Sequence, residues 1–315
     1  MSPDLSGIIF MGTPDFAVPT LKRLLDAGIP VLTAVTQPDR PKGRGKRRTA
    51  PPVKILAEES KIPIYQPERI RAQEAIETLQ SVRAECAVVV AYGQILPKAF
   101  LDLFPLGVLN VHASLLPRYR GAAPIHRAIL AGDALTGVTI MLLDPGMDTG
   151  PVLSKREVPI HEDDTFGTLH DKLGQAGADL LVETLDRWRT GRIQPVPQDD
   201  ASATYAPPIR KEELRLAWDS SAQEVVNRIR AFDPWPGAYA VHEGKRIKCY
   251  GASVLDWRVE GLAGDIVGQV EKGLVVVAGD NRCVAVGELQ LEGQRRLPAA
   301  EFLRGRPELS GSRLE

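Results

Sequence analysis

The chain has 315 residues, 43% of them hydrophobic and 25% charged, enough to bury a full core in a soluble globular protein of two domains. A formal net charge of -1 excludes a global pull toward nucleic acid or anionic membrane, so a polyanion partner has to be met by a local patch. Cys86, Cys249 and Cys283 are odd in number, far apart and without a C-x-x-C pair, which excludes a disulfide framework or a cysteine-held zinc and fits a reducing cytoplasm.

The apolar run Ile8-Ile9-Phe10-Met11 is too short for a signal segment and follows no basic stretch, and nothing reaches the length of a membrane span. Residues 7–11 read as a first strand, 17–27 as a helix with Val18, Leu21, Leu24 and Leu25 on one face, and 30–36 as a second strand. A helix over 53–60, a short strand over 62–65 and a helix over 74–81 follow, and 86–91 is apolar throughout, as for a strand buried on both faces. Strands over 106–111, 137–143 and 152–159, a helix over 125–131 and a long helix over 168–190 complete the half. This alternation predicts an α/β fold, a Rossmann-like, doubly wound, mostly parallel sheet.

Residues 191–208 carry four prolines and Asp199-Asp200 and read as a linker between a domain at 1–190 and one at 209–315. Beyond it a helix over 221–231 and five short strands (238–242, 246–254, 264–271, 273–278, 283–291) predict a smaller C-terminal β-barrel of OB-like type.

The first strand-to-helix turn, Gly12-Thr13-Pro14-Asp15-Phe16, lacks the glycines of a dinucleotide fingerprint, and Gly43-Arg44-Gly45-Lys46 lacks the spacing of a nucleoside triphosphate loop. The chemistry is carried instead by Asn110-Val111-His112-Ala113-Ser114-Leu115-Leu116-Pro117-Arg118-Tyr119-Arg120-Gly121, beginning at the C-terminal end of a predicted strand, where open parallel sheets collect ligands. Asn110 and His112 are two apart and leave the strand on one face; an amide and an imidazole together suit a reaction that builds negative charge on a carbonyl oxygen. A glycine-rich loop, Leu143-Asp144-Pro145-Gly146-Met147-Asp148-Thr149-Gly150, offers carboxylates that favour an imidazolium. Taken alone, Asn110 serves as well to cap a turn, His112 as a satisfied core histidine, and the loop as an ordinary Asp–Gly turn.

Asn110, His112 and Ser114-Leu115-Leu116-Pro117, with Asp148 at the matching distance, resemble the signature of folate-dependent formyltransferases. Within that superfamily the chain is most similar to the methionyl-tRNA formyltransferases, through Gly12-Thr13-Pro14-Asp15-Phe16-Ala17, Thr36-Gln37-Pro38-Asp39-Arg40-Pro41, Tyr119-Arg120-Gly121-Ala122-Ala123-Pro124-Ile125, Gly146-Met147-Asp148-Thr149-Gly150 and Arg230-Ala231-Phe232-Asp233-Pro234-Trp235-Pro236-Gly237. The resemblance implies a formyl donor, 10-formyltetrahydrofolate, used as co-substrate without a metal. It implies as acceptor the α-amine of methionyl initiator tRNA, for translation initiation. Asn110 and protonated His112 would hold the oxyanion and Asp148 would keep His112 charged. The folate pocket maps onto Gln94, Ile95 and Leu96, onto Ser114, Leu115, Leu116 and Pro117, and onto Leu143 and Asp144. The nearest alternative is a sugar-nucleotide N-formyltransferase.

Between the second strand and the next helix, residues 39–48 hold six basic residues, Arg40, Lys42, Arg44, Lys46, Arg47 and Arg48, against the single acid Asp39. Interleaved glycine and proline make this a mobile loop by expectation, and lysines and arginines so grouped neutralise phosphates. The resemblance implies that Arg44 enters the tRNA acceptor end. From Ile209 onward sixteen basic residues face sixteen acidic ones, so RNA contact by the C-terminal domain needs charge segregated onto one face. Two positions depart from the family pattern: no lysine near Pro208, with Lys211 the nearest substitute, and Ala217 in place of an acid before Trp218. A cytoplasmic monomer that does not touch membrane is expected.

Overall fold

The structure, a computed structural model, describes residues 7–42, 47–271 and 273–315. In chain order the first elements are β1 (Ile8–Gly12), α1 (Val18–Asp26), β2 (Val31–Val35), β3 (Arg40–Lys42), β4 (Arg47–Thr49), α2 (Pro52–Glu59), β5 (Ile64–Tyr65), α3 (Gln73–Ser81), β6 (Cys86–Val90), α4 (Lys98–Leu101) and β7 (Val108–His112). There follow α5 (Pro124–Ala131), β8 (Leu135–Leu142), β9 (Val152–Pro159) and α6 (Phe166–Arg189). The last are α7 (Ala222–Phe232), β10 (Ala238–His242), β11 (Lys245–Arg258), β12 (Ile266–Val270), β13 (Gly273–Val277), β14 (Arg282–Leu291), β15 (Leu297–Pro298) and α8 (Ala299–Arg304).

The chain forms two compact units, each built from more than one stretch of sequence. One takes the described residues up to Gly121 with Thr136–Val158 and His170–Tyr205; the other takes Ala122–Leu135, Pro159–Leu169 and Ala206–Glu315. The proline-rich stretch expected as linker is fastened through Tyr205 to the first unit: Val196 exchanges both backbone hydrogen bonds with Val152, at 2.8 Å each.

In the first unit seven strands lie in the order β5-β2-β1-β6-β7-β8-β9. β1, β2, β5, β6 and β7 run parallel and β8 antiparallel to β7. Every residue of β1, β6 and β7 is buried, which is why apolar residues fill most of their positions. The register sets Asn110 opposite Val89 on one side and Met141 on the other, with Gly12 opposite Val90, so the C-terminal ends of three strands form one edge. In α6, Gly177 lets the helix approach this sheet: a Cβ there would lie 2.7 Å from the Val111 side chain, between Asn110 and His112.

In the second unit α7 begins on a reciprocal cap, the Ser221 backbone N–H donating to Glu224 Oε2 at 2.9 Å and Glu224 N–H to Ser221 Oγ at 3.3 Å. The antiparallel order β10-β11-β14-β13-β12, with β15 on β14, includes the five expected strands and one more. The last residues close it: Val241 on β10 and Glu315 exchange hydrogen bonds at 2.8 Å, while Ser312 O accepts from Ile266 of β12 at 2.9 Å. Both edges are thereby paired, the condition for a barrel.

Candidate active site

Asn110 and His112 leave the buried strand β7 together, 9% and 7% exposed. Among the described residues no group takes a hydrogen bond from the Asn110 carboxamide, so a nearly buried donor stands ready at the edge where β1, β6 and β7 end. A polar group so placed is costly unless something completes it, and a substrate oxygen does. His112 is held at one ring nitrogen and faces a carboxylate at the other. Nε2 lies 3.0 Å from the Tyr119 carbonyl, so it carries the proton, and Nδ1 lies 3.7 Å from Asp148 Oδ2. The second distance is beyond hydrogen-bond reach. Asn110 is therefore the open donor here, and the Tyr119 carbonyl occupies the place at His112 Nε2 that a substrate oxygen would need.

Asp148 is positioned by a tight loop. Its φ of +55° is in the left-handed region, which aspartate tolerates better than most residues, and its Oδ2 accepts from Gly121 N–H at 2.8 Å. Gly150 follows because a Cβ there would lie 1.9 Å from the Leu142 carbonyl. The Gln198 side chain donates to both Asp148 O and Gly150 O at 2.8 Å, and its Oε1 accepts from Arg120 Nε and Nη2 at 3.1 and 2.9 Å. Arg120, 2% exposed, also donates to Asp200 at 2.7 Å. Burial works against its charge, but the bonds to Asp200 and Tyr205 outweigh burial and raise its pKa above the ordinary arginine value. Nothing in the proline-rich sequence around Gln198 announces this role; only the pairing of Val196 with Val152 brings it here.

The segments expected to hold folate meet in part. Leu96, buried after β6, belongs to a cluster with Phe100 and Val108, and Leu143, after β8, packs on the same cluster. Ile95 is 90% exposed, an apolar face open to a flat ligand. The Gln94 side chain is spent on Ile70 N–H and Glu68 O, and Asp144 on Gly146 N–H and the Thr149 hydroxyl. Ser114 donates to Arg118 O at 2.6 Å, Leu116 is fully buried, Leu115 packs on Gly137, and Pro117 follows a cis bond. These side chains shape the turn, leaving backbone groups for ligand contact.

Comparison with known proteins gives the family. The formyl transferase family model matches residues 7–185 and the formyl transferase C-terminal domain model residues 208–307. A methionyl-tRNA formyltransferase of Citrifermentans bemidjiense is 48% identical over 95% of this chain and 93% of its own length. The chain belongs to the methionyl-tRNA formyltransferase family. A second member, from Pelobacter propionicus, is 48% identical over 98% of this chain and 95% of its own. Among solved structures, WlaRD, a sugar 3N-formyltransferase, shares the fold at 17% identity, with a TM-score of 0.66 over 93% of this chain and 100% of that one.

Two further features of this family member lie in the first unit. A cavity of about 420 Å³ opens where β1, β2 and β6 end, lined by Thr13, Pro14, Gln37, Arg40, Ala91 and Tyr92 among others. None of the expected folate side chains lines it. Arg40 donates to Gln37 Oε1 at 3.2 Å, and buried Gln37 donates to Tyr92 O at 3.3 Å. The second feature is the basic segment, which is more ordered at its ends than a mobile loop: β3 and β4 pair antiparallel, Arg40 with Thr49 and Lys42 with Arg47. The ladder supplies backbone bonds that Gly and Pro content alone does not reveal. Arg48 is exposed, and Asp39 is bound by Lys54 at 2.9 Å and by Gln66. The hydrogen bond from Gln66, then that from Lys54, hold its carboxyl below the ordinary aspartate range. Arg44 and Lys46 lie outside the described residues.

Proposed function

We propose that the chain transfers the formyl group of 10-formyltetrahydrofolate to the α-amine of methionyl initiator tRNA, as a cytoplasmic monomer, with Asn110, His112 and Asp148 as its catalytic set. The observation that carries the chemistry is the Asn110 amide, without a partner among the described residues, on the same strand face as a histidine flanked by Tyr119 O and Asp148. The acceptor follows from near-full-length relatives named methionyl-tRNA formyltransferase, and the donor from the family and from WlaRD, whose structure was determined in the presence of 5-N-formyl-THF. The residues fit such a donor: exposed Ile95 offers an apolar face, and the cluster shared by Leu96 and Leu143 holds the two flanking loops together.

In the reaction the amine nitrogen bonds to the formyl carbon, the bond from that carbon to the folate nitrogen breaks, and the amine's proton ends on that nitrogen. An α-amine titrates near about 7.7–8.0, so a strong base is not needed. Asn110 donates to the formyl oxygen as charge gathers there, an interaction worth most in a nearly buried site. His112 is the second donor once substrate displaces the Tyr119 carbonyl, and it carries the proton toward the leaving nitrogen. Asp148 stabilises the charged ring. The cavity beside Thr13 and Ala91 receives the aminoacyl end, and Arg40, Lys42, Arg44, Lys46, Arg47 and Arg48 meet phosphates of the acceptor arm.

The test is to incubate the protein with labelled formyl donor and either methionyl-tRNA or a nucleotide-linked amino sugar. Label in the tRNA alone supports the proposal; label in the sugar alone overturns it.

A further inference from the structure

The catalytic chemistry leaves unexplained the segment Arg230–Gly237 of the second unit. Trp235 is 71% exposed there, whereas Trp218 of the same unit is buried at 4%. An exposed indole presents a flat π-face on which a ligand ring can stack. The backbone carrying it is fixed. Gly237 N–H donates to Phe232 O at 2.9 Å and Gly167 N–H to Asp233 O at 3.1 Å. The Asp233 carboxylate accepts from Gly251 N–H at 3.1 Å and Arg296 at 3.0 Å, and Lys248 Nζ donates to Pro236 O at 2.6 Å. Prolines on both sides of the tryptophan limit φ further. Stacking a ligand on this ring therefore loses little backbone entropy.

The surroundings favour a polyanion with exposed rings. Lys248 and Arg246 are two apart on β11 and share a face, with Lys245 exposed beside them and the Arg246 guanidinium 4.7 Å over the Tyr239 ring. The nearby acids Asp233 and Glu288 are both bound by Arg296. Glu243 lies beside Lys245 at the β10–β11 turn and Glu292 lies opposite Arg246, whereas Lys248, nearer the start of β10, faces Tyr239 and Gln290 across its two neighbouring strands.

We propose that Trp235 is a stacking platform for an unpaired base of the tRNA, with Lys248 meeting the adjoining phosphate; this rests on the tRNA reading of the function. Single-strand binding sites combine these two parts, a π-face and a basic track.

The test uses fluorescently labelled acceptor-stem RNA with an unpaired 3′ tail and the same duplex made blunt, titrated against the full-length protein. Trp235→Ala is expected to weaken tailed RNA roughly 5- to 100-fold, the range for losing one base–aromatic stack, and Trp235→Phe to keep most of the affinity. Blunt RNA should be unaffected, as should the circular dichroism and melting of both variants. Unchanged binding of tailed RNA by Trp235→Ala, or equal losses for tailed and blunt RNA, overturns the platform while leaving formyl transfer to tRNA standing. A wild-type protein that formylates tRNA in solution separates that outcome from failure of the functional reading, which would remove both.

Discussion

Gln198 is half-buried and touches no reacting atom, yet removing it should slow the reaction. Its amide holds two carbonyls of the loop that carries Asp148, and its oxygen takes two bonds from the buried Arg120. In Gln198→Ala the two neutral bonds are lost at about 1 kcal/mol each, and the bonds from the charged guanidinium at about 1.5–3 kcal/mol more, part of it recovered by water. A net local loss of about 2–3 kcal/mol is enough to let a left-handed Asp148 relax, and a displacement of about 1 Å at a catalytic group costs up to about a hundredfold in rate. We therefore expect kcat to fall about 10- to 100-fold with little change in KM for either substrate. The assay is steady-state formylation by Gln198→Ala, Asp148→Ala and the double variant. If Gln198 acts through Asp148, the double variant is no slower than Asp148→Ala alone. Losses that multiply would refute this positioning role.

Asn110→Ala should cut kcat about 10²- to 10³-fold while leaving the melting temperature unchanged, because among the described residues the amide has no bond to lose; a destabilised variant would show that it is structural. The KM for tRNA should rise steeply with salt, and Arg40→Ala with Arg48→Ala should flatten that slope by one to two in log–log units at roughly 0.9 per phosphate contact; a salt-insensitive KM removes the basic arm from RNA binding. In the second unit, the bond from Arg127 holds Glu213 below the ordinary glutamate range against the opposing effect of burial. A lowered folded value means that stability is present above the unfolded pKa of about 4.3 and is lost as pH falls through the folded one. Glu213→Gln should thus lower the urea midpoint at pH 7 and converge with wild type in acid; a deficit independent of pH would assign the effect to packing.

What the sequence makes legible is whatever repeats along it. Cys86–Val90 is a buried strand because every residue is apolar, and the 24-residue helix Phe166–Arg189 shows its period over many turns. Asn110 and His112 are legible for the same reason, since two positions on a strand necessarily share a face. What joins residues distant in sequence is not written locally. Pro195-Val196-Pro197-Gln198-Asp199-Asp200 has the composition of a linker, and nothing in it shows that Val196 pairs with Val152 and carries Gln198 to Asp148, 50 positions away. The Tyr119 carbonyl at His112 is equally hidden, because it depends on how residues 113–121 turn rather than on any side chain. At the C-terminus, Ser312–Glu315 is too short to show alternation, although its backbone closes both edges of the barrel. In each case the missing contact involves at least one backbone carbonyl or amide, which residue type does not signal. The proposed catalytic side chains are candidates in the sequence, whereas the groups that hold them in place become visible only when the chain is folded. Gln198, the one side chain in that supporting set with a distinctive position, is accordingly where mutation should separate positioning from chemistry.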